Sequence, residues 1–194
     1  MRTTSIFPII RAAAVSASLA AGALALAPST APANVMQPLF ACPSSPTISG
    51  NSAANQLFGS AAADSIRGYG GDDTVAGMEG ADRICLDDGD DVAAGGPGND
   101  MIRGGPGNDH GVTGNEGDDF ILGDGGNDSL GAHPGKDYVW GGTGNDKLWG
   151  NLFNSSPADA DHLDGGDGHD VCYPGLEDSV SQCEEVNWPE QGPA

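Results

Sequence analysis

The stretch Gly95–Gly111, GGPGNDMIRGGPGNDHG, writes nearly the same six residues twice, nine positions apart. Counted outward in nines from residue 50, the chain reads GNSAANQLF, GSAAADSIR, GYGGDDTVA, GMEGADRIC, LDDGDDVAA, GGPGNDMIR and GGPGNDHGV without a gap. Thr113 then stands as one extra residue, and the count resumes as GNEGDDFIL, GDGGNDSLG, AHPGKDYVW and GGTGNDKLW through Trp149. Six more residues fall within GNLFNSSPADADHLD, and GGDGHDVCY closes the array at Tyr173.

The register is kept by two positions. The sixth reads Asn55, Asp64, Asp73, Asp82, Asp91, Asp100, Asp109, Asp119, Asp128, Asp137, Asp146, Asp161 and Asp170. The eighth is aliphatic nearly throughout, with Gly111 and Cys172 as departures. Nine residues are too few for a helical hairpin, and interior glycines disfavour a helix by about 1 kcal/mol each. The last three residues of each unit suit a short strand whose eighth side chain points inward and whose neighbours point outward. The first six form a turn, with glycines where positive φ or close backbone approach is needed. Two units make a coil of 18 residues, and stacked coils give two parallel sheets around a thin aliphatic core. The expected fold is all-β, a right-handed parallel β-roll, a form of β-solenoid.

Composition agrees once the period is seen. The chain has 194 residues with 32 Gly and 13 Pro, a content that signals disorder only when it carries no repeat. Its formal charge is -21, from 28 acids against 7 Lys and Arg, which repels nucleic-acid phosphates and anionic lipid and favours cations as partners.

The units resemble the calcium-binding nonapeptide of RTX (hemolysin-type) proteins, G-G-x-G-x-D-x-U-x, and residues 95–103 and 141–149 match it fully. The resemblance covers residues 50–173 and implies a stand-alone bacterial calcium-binding repeat protein. The physical reason is independent of the name. Stacked turns bring like-charged aspartates of alternate units together, and calcium accepts about 6 to 8 carboxylate and carbonyl oxygens in flexible geometry. Zinc is disfavoured by such hard donors.

Alternate units form two ladders, Asn55, Asp73, Asp91, Asp109, Asp128, Asp146, Asp170 on one edge and Asp64, Asp82, Asp100, Asp119, Asp137, Asp161 on the other. The expected ligands of several Ca2+ ions are Asp73, Asp82, Asp91, Asp100, Asp109, Asp119, Asp128, Asp137, Asp146, Asp161 and Asp170. Backbone carbonyls near Gly96, Gly98, Gly105, Gly107, Gly126, Gly142 and Gly144 are expected to join them. Ions are placed first between Asp82 and Asp100, Asp91 and Asp109, Asp119 and Asp137, and Asp128 and Asp146. The units at 50 and 59 lack the motif's second and fourth glycines and read as a metal-poor cap. Calcium binding and folding are expected to be coupled.

Residues 1–33 read as a secretory signal peptide: Arg2 and Arg11, then the apolar run AAAVSASLAAGALALA, then Ala31 and Ala33 as a small-residue cleavage site before Asn34. The run is too short to span a bilayer, and the product is expected outside the cell. Residues 34–49 form a lead-in and 174–194 a carboxy-terminal cap and tail. Export permits disulfides; four cysteines allow three pairings, and pairing within each local group, Cys42–Cys85 and Cys172–Cys183, would staple both ends of the roll.

The four histidines, His110, His133, His162 and His169, lie in or beside turns without metalloprotease spacing. No catalytic motif stands out, so the expectation is a binding module and not an enzyme. The alternatives are a polysaccharide-acting enzyme, drawing on the insertion around Asn151–Asp161, and an adhesive or self-assembling surface protein. A cell-surface or carbohydrate contact would use the outward aromatics Tyr138, Trp140 and Trp149.

Overall fold

The computed structural model describes residues 41–151 and 159–189. The expected signal peptide, the start of the expected lead-in and most of the expected insertion fall outside the described residues.

Among the described residues sixteen strands alternate between two eight-stranded parallel sheets. The odd sheet holds β1 (Ile48–Ser49), β3 (Ser65–Gly70), β5 (Arg83–Asp88), β7 (Met101–Pro106), β9 (Phe120–Gly125), β11 (Tyr138–Gly144), β13 (His162–Gly168) and β15 (Ser179–Ser181). The even sheet holds β2 (Gln56–Phe58), β4 (Thr74–Ala76), β6 (Val92–Ala94), β8 (His110–Thr113), β10 (Ser129–Gly131), β12 (Lys147–Trp149), β14 (Val171–Tyr173) and β16 (Glu185–Val186). Strands thus pair with the strand one full coil away, as in Ile66 against Ile84 and Leu130 against Leu148. This is the parallel β-roll that the nine-residue period demands.

The core is a double file of eighth-position side chains. Ile66, Ile84, Ile102, Ile121, Val139 and Leu163 stack on the odd sheet, and Val75, Ala93, Val112, Leu130, Leu148 and Cys172 on the even sheet, none more than 2% exposed. Leu86 and Ala132, at first positions that other units give to glycine, add to it. Most strands contribute a single inward side chain, worth about 1.5–3 kcal/mol for a buried aliphatic. A core this thin leaves the turns to decide stability.

The extra residue of the seventh unit lies at Gly111 and not at Thr113. Val112 pairs with Leu130 in the core file, Thr113 pairs with Ala94 and Gly131 as a regular ninth residue, and the register shifts beside Leu130. Gly111 has no side chain to bury and takes φ +65, so the strand bulges there and hands the inward place to Val112.

Both ends are stapled. Cys85, outward on β5, joins Cys42, and the Arg83 guanidinium donates to the Ala41 carbonyl at 2.7 Å, so the lead-in crosses the outside of the odd sheet. At the other end Cys172, in the core file, joins Cys183. Beyond Tyr173 the chain adds β15 and β16, one to each sheet, with Val180 partly covering the end of the core. Outside the odd sheet, Arg67 pairs with Asp87 at 2.5 Å and Arg103 with Asp124, each bond spanning one coil step.

Candidate metal centre

The sixth-position side chains form the two ladders. Each carboxylate accepts, through Oδ1, the backbone N–H of its counterpart one coil earlier: Asp73 N–H to Asp91 at 2.6 Å, Asp91 N–H to Asp109 at 2.9 Å, and Asp109 N–H to Asp128 at 2.9 Å on one edge. On the other, Asp82 N–H reaches Asp100 and Asp100 N–H reaches Asp119, both at 2.8 Å, and Asp119 N–H reaches Asp137 at 2.7 Å. The ladders run through both irregular steps, from Asp137 to Asp161 and from Asp146 to Asp170.

One oxygen per carboxylate is thereby used. The other, Oδ2, is buried without a hydrogen-bond partner at Asp73, Asp82, Asp91, Asp100, Asp109, Asp119, Asp128, Asp137, Asp146 and Asp170. A buried anionic oxygen left unpaired is costly, so ten in register call for a shared explanation.

The glycines show what surrounds that oxygen. A Cβ built on Gly104 would collide with Asp109 Oδ2 and stand 2.7 Å from the Gly123 carbonyl oxygen of the next coil. Gly77 faces Asp82 Oδ2 and the Gly95 carbonyl in the same way, Gly95 faces Asp100 and Gly114, and Gly123 faces Asp128 and Gly141. The first position is thus a cradle that brings a carboxylate and a backbone carbonyl together. Leu86 and Ala132 put side chains at this place in the turns of Asp91 and Asp137.

In these ten turns positions 2 and 4 both have positive φ. Position 4 is always glycine, with φ from +86 at Gly71 to +159 at Gly168, and the previous coil's carbonyl fills the space of its missing Cβ. Position 2 is glycine in four turns, and elsewhere Tyr69, Met78, Asp87, Asn115, Asp124 and His133 take φ between +69 and +81. Six side-chain-bearing residues held left-handed at one repeat position mark a site that the fold maintains against local preference.

Burial raises the aspartate pKa values from the ordinary 3.8: to about 6 at Asp91, Asp100 and Asp128, about 7 at Asp119 and Asp146, and about 8 at Asp109 and Asp137. Neighbouring carboxylates of the same ladder add to the effect, as Asp128 and Asp91 do at Asp109. Asp73, Asp82 and Asp170 are raised as well, again chiefly by burial.

Four turns differ. Asn55 Oδ1 accepts the Asn51 N–H at 2.7 Å, Asp64 Oδ2 the Ser60 N–H at 2.8 Å, Asp161 Oδ2 the Asn151 N–H at 3.0 Å, and Asp178 Oδ2 the Gly175 N–H at 2.6 Å. Hydrogen bonds from the Ser60 hydroxyl and N–H lower the Asp64 pKa, the reverse of its buried counterparts. Asp161, raised to about 7 by burial, sits on the ladder with the other expected ligands, but its second oxygen is already taken.

The carbonyls of Gly98, Gly107, Gly126, Gly142 and Gly144 seat against glycines of the next coil, while Gly96 and Gly105 receive those of Met78 and Asp87. The carbonyls beside the unpaired oxygens are instead those of first-position residues, such as Gly95, Gly114, Gly123 and Gly141. Sequence reasoning also missed a shallower ladder at position 5, where Asn108 N–H donates to Asp90 at 2.7 Å, Asn127 N–H to Asn108 at 2.8 Å and Asn145 N–H to Asn127 at 2.8 Å. The recurrence of Asn or Asp before the sixth position, from Asp90 to Asp118 and again at Asn127 and Asn145, was its only signal.

No group of three or more His, Cys, Asp or Glu side chains gathers among the described residues, so a cation at these turns draws on backbone oxygen. All four cysteines are in disulfides, and the donors that remain are hard oxygens. That set fits calcium and not a thiolate-seeking metal. No helix among the described residues is long and apolar enough to cross a membrane.

No curated protein sequence matches the chain. The family model for the RTX calcium-binding nonapeptide repeat (4 copies) matches residues 49–84, 87–110, 112–130, 132–155 and 158–179. These segments take in nearly every turn of the roll and more than half of the sequence, and the chain therefore belongs to the RTX calcium-binding nonapeptide repeat family.

Proposed function

We propose that this is an exported binding protein that completes its fold by taking up several calcium ions at its turns. The ligands are the Oδ2 atoms of Asp73, Asp82, Asp91, Asp100, Asp109, Asp119, Asp128, Asp137, Asp146 and Asp170, with first-position carbonyls of neighbouring coils. Bound calcium supplies the positive charge that two stacked carboxylate ladders need. The protein's own part is to hold each carboxylate by Oδ1, keep water from Oδ2, and turn carbonyls toward it. The observation that carries this reading is the set of ten buried, unpartnered Oδ2 atoms in register.

Export is supported by the leader pattern of residues 1–33 and by two disulfides, which persist in oxidising compartments. Coupling to folding is supported by the formal charge of -21 and the thin, two-file core. Calorimetric titration of chelated protein with calcium, followed by far-UV circular dichroism, tests both: heat of binding with a gain of β signal supports the reading. A spectrum that is indifferent to calcium and to chelator refutes the coupling.

Two of the three outward aromatics named for a carbohydrate contact, Tyr138 and Trp149, are engaged with neighbouring coils. Phe120 and Tyr138 stack on each other with centroids 5.0 Å apart, and Trp149 on Tyr173 at 5.4 Å, so ring faces that a sugar would cover serve the coil-to-coil packing.

A further inference from the structure

We infer that the backbone conformation at position 2 decides whether a turn takes a cation, and that the turns of Asp64, Asp161 and Asp178 close without one, an internal N–H standing in the cation's place. The inference rests on the calcium reading and says which turns it applies to. The ten turns whose Oδ2 is unpaired are the same ten in which position 2 has positive φ. Asn51, Ser60, Asn151 and Gly175, which hold the corresponding place in the other four, have no positive φ, and each donates its N–H to the turn's own carboxylate or amide oxygen.

The two states exclude each other. With position 2 right-handed or extended, its N–H points into the turn and satisfies Oδ2 at 2.6–3.0 Å. With position 2 left-handed, the peptide turns away; at Gly96 the N–H reaches the Gly114 carbonyl of the next coil at 3.0 Å instead. The carboxylate is then left with a free, dehydrated oxygen beside a carbonyl, which is a demand for a cation. Glycine at position 2 is not required, since Tyr69 and His133 adopt the conformation, so a glycine-based motif misjudges which turns are competent.

The consequence is unequal loading. One edge carries six competent turns, from Asp73 to Asp170, and the other four, from Asp82 to Asp137, closed off by Asp64 on one side and by Asp161 and Asp178 on the other.

The test counts ions by equilibrium dialysis of the full mature chain against calcium, comparing D64N and D161N with D109N and D146N. Asparagine keeps an oxygen for the ladder N–H. The expected result is an unchanged ion count in D64N and D161N, and a loss of at least one ion in D109N and in D146N. If D109N fails to fold, N115V keeps the Asp119 carboxylate and, at a position that already carries a side chain, opposes the left-handed position 2, because a β-branched residue strongly resists φ near +77. It is expected to lose an ion too. The inference is overturned if D64N or D161N loses ions as D109N does, or if N115V retains the full complement. Wild-type protein that binds no calcium would sink the calcium reading itself and the inference with it.

Discussion

Asp109 accepts the Asp91 N–H through Oδ1 at 2.9 Å, while Oδ2 of the same carboxylate, equally buried, has no partner. One side chain thus does two jobs: it splices consecutive coils and presents an anionic oxygen that the protein leaves unanswered.

Removing that side chain should have unequal effects in the two metal states. With calcium present, Asp109→Ala removes a ligand and a charge-assisted acceptor, and should cost about 1.5–3 kcal/mol for the hydrogen bond alone. Without calcium it also deletes a carboxyl whose burial is costly, which offsets the loss of the Asp91 N–H acceptor, so the residual fold should be destabilised less. Urea titrations with and without calcium would check this, and equal destabilisation in both would count against it.

The pH dependence of the metal-free chain follows from the raised aspartate pKa values. A carboxyl whose pKa is higher folded than unfolded stabilises the fold fully below its ordinary value of 3.8 and ceases to do so as pH climbs through the folded value. That window extends to about 6 for Asp100 and about 8 for Asp109 and Asp137. Calcium-free protein should gain β signal on acidification from pH 8 to pH 5, whereas calcium-loaded protein should weaken as protons displace the ion. Circular dichroism showing more structure at pH 8 than at pH 5 in the absence of calcium would contradict the assignment.

Two glycines separate backbone handedness from close approach. Gly111 is left-handed at φ +65 with nothing within 4 Å of an added Cβ, so Gly111→Ala should cost only about 1–2 kcal/mol. Gly107, at φ +150, would drive a Cβ into the Gly89 carbonyl, and Gly107→Ala should cost considerably more by separating two coils. Thermal midpoints measured in calcium would give the order.

The Cys172–Cys183 bond closes the carboxy-terminal end of the core, and a stack whose coils touch only their neighbours should feel its loss locally. Cys172→Ala with Cys183→Ala should cost about 2–4 kcal/mol. Hydrogen exchange should accelerate at Leu163 and Val180 and stay slow at Ile66. Uniform acceleration along the roll would show that the bond acts globally.

Much of this was legible beforehand because a period of nine specifies position and edge together. The ladder from Asp73 to Asp170 follows from counting, and so does the inward turn of Val112 once Gly111 is seen to lack a side chain. What stayed hidden depends on backbone conformation that residue type does not dictate. Tyr69, Met78 and His133 are not residues from which a left-handed turn is read, yet stacking imposes one. Asp178 and Glu184 continue the ladders through shortened turns, accepting from Asp161 and Asp170 at 2.9 and 2.7 Å, and so fall out of a nine-residue count.

The ladders also set a quantum of length. A counterpart normally lies 18 residues away, so excising that many consecutive residues from the regular stretch between Asp119 and Asp146 would return every remaining side chain to the sheet and edge it now occupies. Excising half as many would send everything downstream to the opposite sheet and exchange the two edges. Deletions of whole units in this molecule therefore have parity, and only an even number of units leaves the surface pattern unchanged.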